Sequence, residues 1–134
     1  RIPALWTKCE QPGQCFQPSI YMGASYEMFF YARKGNPSIK KQGRKAQFDC
    51  PPVDPAKKVH PTERPVELME EVLSTFAWEG ARVLVPFAGS GNTLVDAANL
   101  KMLPIGYDLS QEYRDAFVAR LIGKDHESRT TTIY

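Results

Sequence analysis

The chain has 134 residues, 43% of them hydrophobic and 24% charged, enough for one domain with a real core and too few for two ordinary ones. No apolar run approaches the roughly 20 residues that a membrane helix needs, and no basic-then-apolar leader marks a secretory signal. The formal net charge of +2 hides a split: residues 1–64 hold 11 Lys and Arg against 5 Asp and Glu, whereas residues 65–134 hold 6 against 10, so the first half is the one expected to face an anion.

Cys9, Cys15 and Cys50 contain no C-x-x-C pair and are odd in number, which argues against a disulfide framework and for a reducing, cytoplasmic setting. Their spacing with His60 fits no common zinc pattern. The chain begins at Arg1 rather than Met, as expected of a piece of a longer polypeptide.

In chain order, Ile2 to Trp6 reads as an entering strand, followed by a loop rich in Pro, Gly and Gln. "YEMFFYARKG" (26–35) is dense in aromatics and ends at Gly35, so a buried strand is expected over Glu27–Ala32. Arg33, Lys34, Lys40, Lys41, Arg44, Lys45, Lys57 and Lys58 then follow, with no acid between Met28 and Phe48. Gly35, Pro37, Gly43, Pro51, Pro52 and Pro55 mark this stretch as a long loop rather than an element, and loops of such length inside compact domains are usually functional or mobile.

"HPTERPVELMEEVLSTFAW" opens a helix: Thr62 is the expected N-cap, Pro65 lies in the first turn, and Glu63 and Glu67 suit the positive end of the dipole. Val66, Met69, Val72, Leu73 and Phe76 recur at helical spacing and give the apolar face. "ARVLVPF" is a short strand, and "NTLVDAANLK" a helix with Leu94, Val95, Ala98 and Leu100 available for packing. "LPIGYD" is a second strand. Ser110 caps "QEYRDAFVARLIG", in which Tyr113, Phe117 and Leu121 share a face. From residue 62 onward the order is that of a wound α/β unit with parallel strands. The expected organisation is one partial domain: late sheet strands and loop (1–35), a basic loop (36–59), a ligand-binding α/β unit (60–123) and a frayed tail (124–134).

In such sheets, ligands sit beyond the carboxyl ends of the strands, against helix N-termini. Gly89 and Gly91 remove side chains where a ligand must approach the backbone. Asp108 ends the next strand 19 residues after Gly89, where an acid can accept hydrogen bonds from both ribose hydroxyls of a nucleoside. A dinucleotide fingerprint would want a third glycine where Leu94 stands, which disfavours a nicotinamide cofactor. A tight turn with an exposed Asp at a strand end is the bland alternative.

Three motifs sharpen this. "VPFAGSGNT" resembles the "DPFAGSGTT"-like loop of the DNA methyltransferases that act on adenine N6 and cytosine N4. "HPTERP" (60–65) is similar to their "HPT-x-KP" element, and "GYDLSQEY" (106–113) to their "G-acid-x-x-x-x-Y". Their order is that of the circularly permuted members, whose cofactor half follows the catalytic half, and "YEMFFYARKG" looks like the family's late strand ahead of the target-facing loop. The resemblance covers roughly residues 20 to 122 and implies a partial Rossmann-like methyltransferase fold with S-adenosylmethionine as cofactor. It implies that Phe87, Gly89, Ser90 and Gly91 line the methionine and ribose side and that Asp108 holds the ribose. Leu109 would flank the adenine, and His60, Pro61, Thr62 and Pro65 would close the pocket over the methionine end. Asn92 and Thr93 either cap their helix or touch the methionine carboxylate.

Methylating a base amine requires the base outside the stack, so double-stranded DNA is the expected partner. Arg33, Lys34, Lys40, Lys41, Arg44 and Lys45 are the expected phosphate contacts, with Glu67, Glu70 and Glu71 facing away. The resemblance implies a restriction-modification enzyme of a bacterial or phage-infected cell, with adenine N6 favoured over cytosine N4.

One part of the family pattern has no match. A D/N/S-P-P-aromatic element orients the amine in these enzymes. "DCPPV" (49–53) has Cys50 between Asp49 and the prolines, Val53 in place of the aromatic, and a position directly before "HPTERP"; it reads as loop. Val85 also stands where relatives usually carry Asp. The chain is therefore expected to be the C-terminal, cofactor-binding part of a methyltransferase. Its catalytic strands would then lie upstream or on a partner chain that pairs with its open sheet edges. The alternative is a catalytically degenerate fold relative acting as a nucleic-acid-binding or assembly component.

Overall fold

The computed structural model describes residues 2–9, 15, 17–54, 56, 58 and 63–130, with side chains through 122. Three strands form one sheet in the order β2-β1-β3: β1 (Ala4–Thr7), β2 (Tyr26–Phe29) and β3 (Gln47–Asp49). β1 is central, antiparallel to β2 and parallel to β3, with Trp6 opposite Glu27 on one side and Phe48 on the other. A second sheet pairs β4 (Arg82–Val85) with β5 (Leu103–Gly106) in parallel. The helices are α1 (Val66–Phe76), α2 (Asn92–Asn99) and α3 (Gln111–Thr130). This is the partial wound α/β fold that the sequence predicts.

The core lies between the three-stranded sheet and α1. Ala4, Trp6, Phe48, Cys50 and Leu68 are buried together, with Phe29 and Val72 packed against them. The Trp6 indole N–H donates to the Cys50 carbonyl at 2.8 Å, which satisfies a polar atom that burial would otherwise penalise.

Several expectations need correction. β3 lies inside the stretch read as a loop. Three residues between Gly43 and Pro51 are too few to show a period, and the strand exists because Ala46 and Thr7 carbonyls take the Leu5 and Cys50 N–H groups across the pair. β2 ends at Phe29 rather than Ala32 and is not buried: Tyr26, Met28, Phe30 and Tyr31 are exposed. Among the described residues β2 is an edge strand paired with β1 alone, and Tyr26 and Met28 on its alternate positions are open to solvent.

α1 starts at Val66 with Pro65 in the cap position, not Thr62. Pro65 is extended at ψ 141°, and proline also pushes the residue before it out of helical geometry. Its buried face is Leu68 and Thr75 with half-buried Val72 between, while Val66 is exposed. On α2, Asp96 and Ala97 are buried and Ala98 is exposed. Ser110 does cap α3, accepting from the Tyr113 N–H at 3.3 Å. α3 continues to Thr130, past the expected end at Gly123.

Trp6→Phe keeps the ring packing and strands the Cys50 carbonyl. We expect a loss of about 1–3 kcal/mol of unfolding free energy, read as a lower urea midpoint at unchanged slope.

Candidate functional site: a glycine turn clasped by Asp108

β4 delivers the chain to a turn over residues 86–91, where Gly89 (φ 52°) and Gly91 (φ 76°) take left-handed conformations. The turn is locked to the end of β5: the Ala88 N–H donates to the Tyr107 carbonyl at 2.8 Å. The Asp108 carboxylate accepts from the Gly89 N–H at 2.7 Å and from the Ser110 N–H at 2.9 Å. Asp108 therefore points into the turn, as the sequence reading requires.

Gly91 packs against α3. A Cβ there would fall 2.2 Å from Cδ2 of Phe117, so the ring of Phe117 fills the space on that side of Gly91. Arg120 of α3 also bonds the Ser90 carbonyl.

Above the turn opens a cleft of about 240 Å³ lined by Glu63, Arg64, Met69, Phe87, Ala88, Gly89, Ser90, Asn92, Thr93 and Asp108. Six of the predicted ligand residues thus converge: Phe87, Gly89, Ser90, Asn92, Thr93 and Asp108. Pro65 is buried beside them, in an adjoining cleft that shares Glu63 and Asn92. Leu109 is fully exposed and outside the lining. His60, Pro61 and Thr62 lie outside the described residues.

Glu63, Arg64, Met69 and Ala88 are lining residues that the sequence reading missed. Asn92 explains Glu63: its amide donates to Glu63 Oε1 at 2.7 Å and approaches the Arg64 carbonyl at 3.4 Å. Gly91 is the cap residue of α2, with no side-chain cap bond, so Asn92 is not capping. It ties the start of α2 to the lead-in of α1.

The basic segment sits elsewhere. The Lys41 N–H donates to the Thr75 carbonyl, and the Arg44 guanidinium to Thr75 Oγ1 at 3.0 Å. Both cations also pair with Glu71, at 2.6 and 3.3 Å. They complement the negative end of α1, and Glu71 faces them instead of facing away. The Arg44 guanidinium lies 3.8 Å from the Phe48 ring centroid. Lys45 pairs with Asp49 at 2.9 Å. Arg33, Lys34 and Lys40 are exposed and in no ion pair among the described residues. The cleft and the basic segment occupy opposite ends of α1, whose 11 residues span about 16 Å.

Asp49, the acid of "DCPPV", ends β3. Thr7, Lys45 and Gln47 all bond its carboxylate and together hold it well below the usual carboxylate range, the Thr7 hydroxyl most strongly. Cys50 beside it is buried, and desolvation pushes its thiol up. Among the described residues no group of three His, Cys, Asp or Glu side chains could hold a metal, and no helix is long and apolar enough to cross a membrane.

A glycine turn and a strand-end acid facing one cleft across two parallel strands define a nucleoside-cofactor class of α/β protein. The family is specified by comparison: residues 4–119 match the family model of the N6/N4 DNA methylases, and the chain belongs to that family. It is 34% identical over 107 residues to YubD of Escherichia coli (strain K12), a protein named as a methylase; the match covers 77% of this chain and 44% of that one. It is 43% identical over 54 residues to the type II methyltransferase M2.DpnII of Streptococcus pneumoniae, covering 40% and 20%. The chain thus spans less than half the length of these relatives. The fold is that of the PvuII cytosine-N4-specific DNA methyltransferase (TM-score 0.70, 16% identity, 87% of this chain and 49% of that one). The M1.HpyAVI–SAM complex shares it as well (TM-score 0.64, 24% identity, 90% and 61%).

Gly91→Ala combines a left-handed φ with a clash against Phe117. We expect it to cost about 2–4 kcal/mol, with part of the loss recovered in Gly91→Ala/Phe117→Ala, measured by thermal unfolding.

Proposed function

We propose that this chain is the cofactor-binding part of a DNA methyltransferase that moves a methyl group from S-adenosylmethionine to an exocyclic base amine, with adenine N6 the expected acceptor. The observation that carries the reading is the Asp108 carboxylate held against Gly89 at the mouth of the cleft.

The residues fit the cofactor. The Gly89 and Ser110 N–H groups orient the Asp108 carboxylate at the cleft, on the strand end where a ribose-binding acid belongs. The start of α2, at Asn92 and Thr93, is the positive end of a helix and suits a carboxylate. Phe87 lines the cleft as an exposed aromatic. When bound, S-adenosylmethionine supplies an activated methyl on a cationic sulfonium. This chain's residues bind and orient it; the group that orients the amine belongs to the rest of the enzyme, since the Asp49 carboxylate is taken up by Thr7, Lys45 and Gln47.

The expected phosphate contacts reduce to Arg33, Lys34 and Lys40, because Lys41, Arg44 and Lys45 have acidic partners within the chain. A second reading, a degenerate family member that only binds nucleic acid or assembles with a partner, draws support from Val85 and from the engagement of Asp49.

Calorimetric titration with S-adenosylmethionine separates the two. We expect binding, weakened in Asp108→Ala by about 10–150-fold, the equivalent of roughly 1.5–3 kcal/mol of charged hydrogen bonding. Absence of binding, or binding indifferent to Asp108, removes the first reading. For DNA, Arg33→Ala/Lys34→Ala/Lys40→Ala should lower duplex affinity uniformly across sequences and reduce the salt slope by about 3. Lys41→Ala/Arg44→Ala should chiefly destabilise the fold.

A further inference from the structure

A second, larger cleft of about 1000 Å³ opens between the chain leaving β2, the basic segment, and Val72 and Phe76 of α1. Phe30 and Tyr31 stand in it 84% and 47% exposed, and the Tyr31 and Phe76 ring centroids are 5.5 Å apart. Arg33 and Lys34 line it as well, exposed and in no ion pair among the described residues. Its described lining includes no Asp or Glu. It shares no lining residue with the cofactor cleft: Met69 of that cleft and Phe76 of this one are about 10 Å apart along the helix.

Open aromatic faces beside cations that lack an acidic partner match one ligand chemistry. An unpaired nucleotide stacks its base on a ring and brings a phosphate to a positive charge. We propose that this cleft binds a single DNA strand, its bases stacked on Phe30 and Tyr31 and its phosphates on Arg33 and Lys34. A base inside a duplex already has both faces covered by its neighbours, so the cleft selects unpaired strand over paired DNA. Gln42 in the same lining suits the base edges, since an amide both donates and accepts. Methyl transfer needs the reacting atoms within about 3–3.5 Å of each other, so the bases held here flank the methyl acceptor and are not it. The choice of a nucleic acid over an acidic peptide rests on the methyltransferase reading; the pairing of open rings with available cations rests on the cleft alone.

The test titrates the full chain into a fluorescein-labelled deoxythymidine strand of about 12 nucleotides, and into a duplex of equal length, and reads anisotropy over a range of salt. The strand should bind more tightly than the duplex. Phe30→Ala and Tyr31→Ala should each weaken it by about 5–150-fold, the equivalent of one stacked base, at unchanged salt slope, while Tyr31→Phe keeps the affinity. Arg33→Ala/Lys34→Ala should instead lower the slope by about 1.4. Circular dichroism of Phe30→Ala should match the parent, because that ring is already open to solvent. Equal affinity for strand and duplex, or a strand affinity that neither Phe30→Ala nor Tyr31→Ala moves, overturns the inference. So does tighter binding of a glutamate-rich, phenylalanine-containing peptide, which would give the cleft to a protein, or of thymidine monophosphate, which would give it to a free nucleotide. A chain that binds S-adenosylmethionine and ignores the strand sinks this inference alone; one that binds the strand and not S-adenosylmethionine keeps the cleft and sinks the cofactor reading.

Discussion

The site is organised around one carboxylate. Asp108 takes an N–H from Gly89 and another from Ser110, so it joins the turn after β4 to the turn after β5. Parallel pairing brings those two strand ends to the same edge, and only there can an acid 19 residues along the chain reach the glycine turn. Two backbone donors fix the direction of that carboxylate. It braces the turn at the mouth of the cleft. Gly91, Phe117 and Arg120 then fix the far wall of the turn, which makes α3 part of the site although it lines none of the cleft.

The cations show why composition alone misplaces a binding surface. Residues 28–48 have no acid in sequence, yet Glu71, on a helix some thirty positions away, supplies one to Lys41 and Arg44. Those two side chains, with Thr75, finish α1, which has no basic residue of its own in its last turn. A charge run read along the chain counts cations that the fold has already paired. What remains for an external anion is the smaller set of Arg33, Lys34 and Lys40.

Legibility followed the range of the interactions involved. The strands and helices from α1 onward could be read because their apolar periods and glycine breaks are local, and the cleft because Gly89 and Asp108 occupy strand ends that the α/β order predicts. β3 could not be read: three residues carry no period, and its cause is Thr7 and Leu5 on the other side of the sheet. Glu63 could not be assigned to the cleft without knowing that Asn92 reaches back to it from α2. Leu68, not Met69 or Leu73, is the buried apolar residue of α1 because the position of the sheet, rather than the periodicity, decides which part of an apolar stripe is covered. The packing of Gly91 against Phe117 could not be read, since that ring is 26 positions away.

The closed packing around the glycine turn bears on how the reaction is divided. The ligand side of the β4–β5 pair is closed to the point that Gly106 has no room for a methyl group, and its turn is fastened by hydrogen bonds at both ends. A cofactor cleft can therefore hold its shape within these residues. The amine acceptor of the proposed reaction needs a different kind of site. Its delocalised lone pair must be drawn into line with the methyl by a carboxylate or amide acceptor, and the nearest carboxylate in motif order, Asp49, already accepts from three neighbours that fold with it. Freeing Asp49 for catalysis would cost the end of β3 its carboxylate bonds to Thr7, Lys45 and Gln47. In the proposed reading, binding the methyl donor and orienting the acceptor therefore fall to different groups, the first gathered at the cleft around Asp108 and the second not supplied by Asp49.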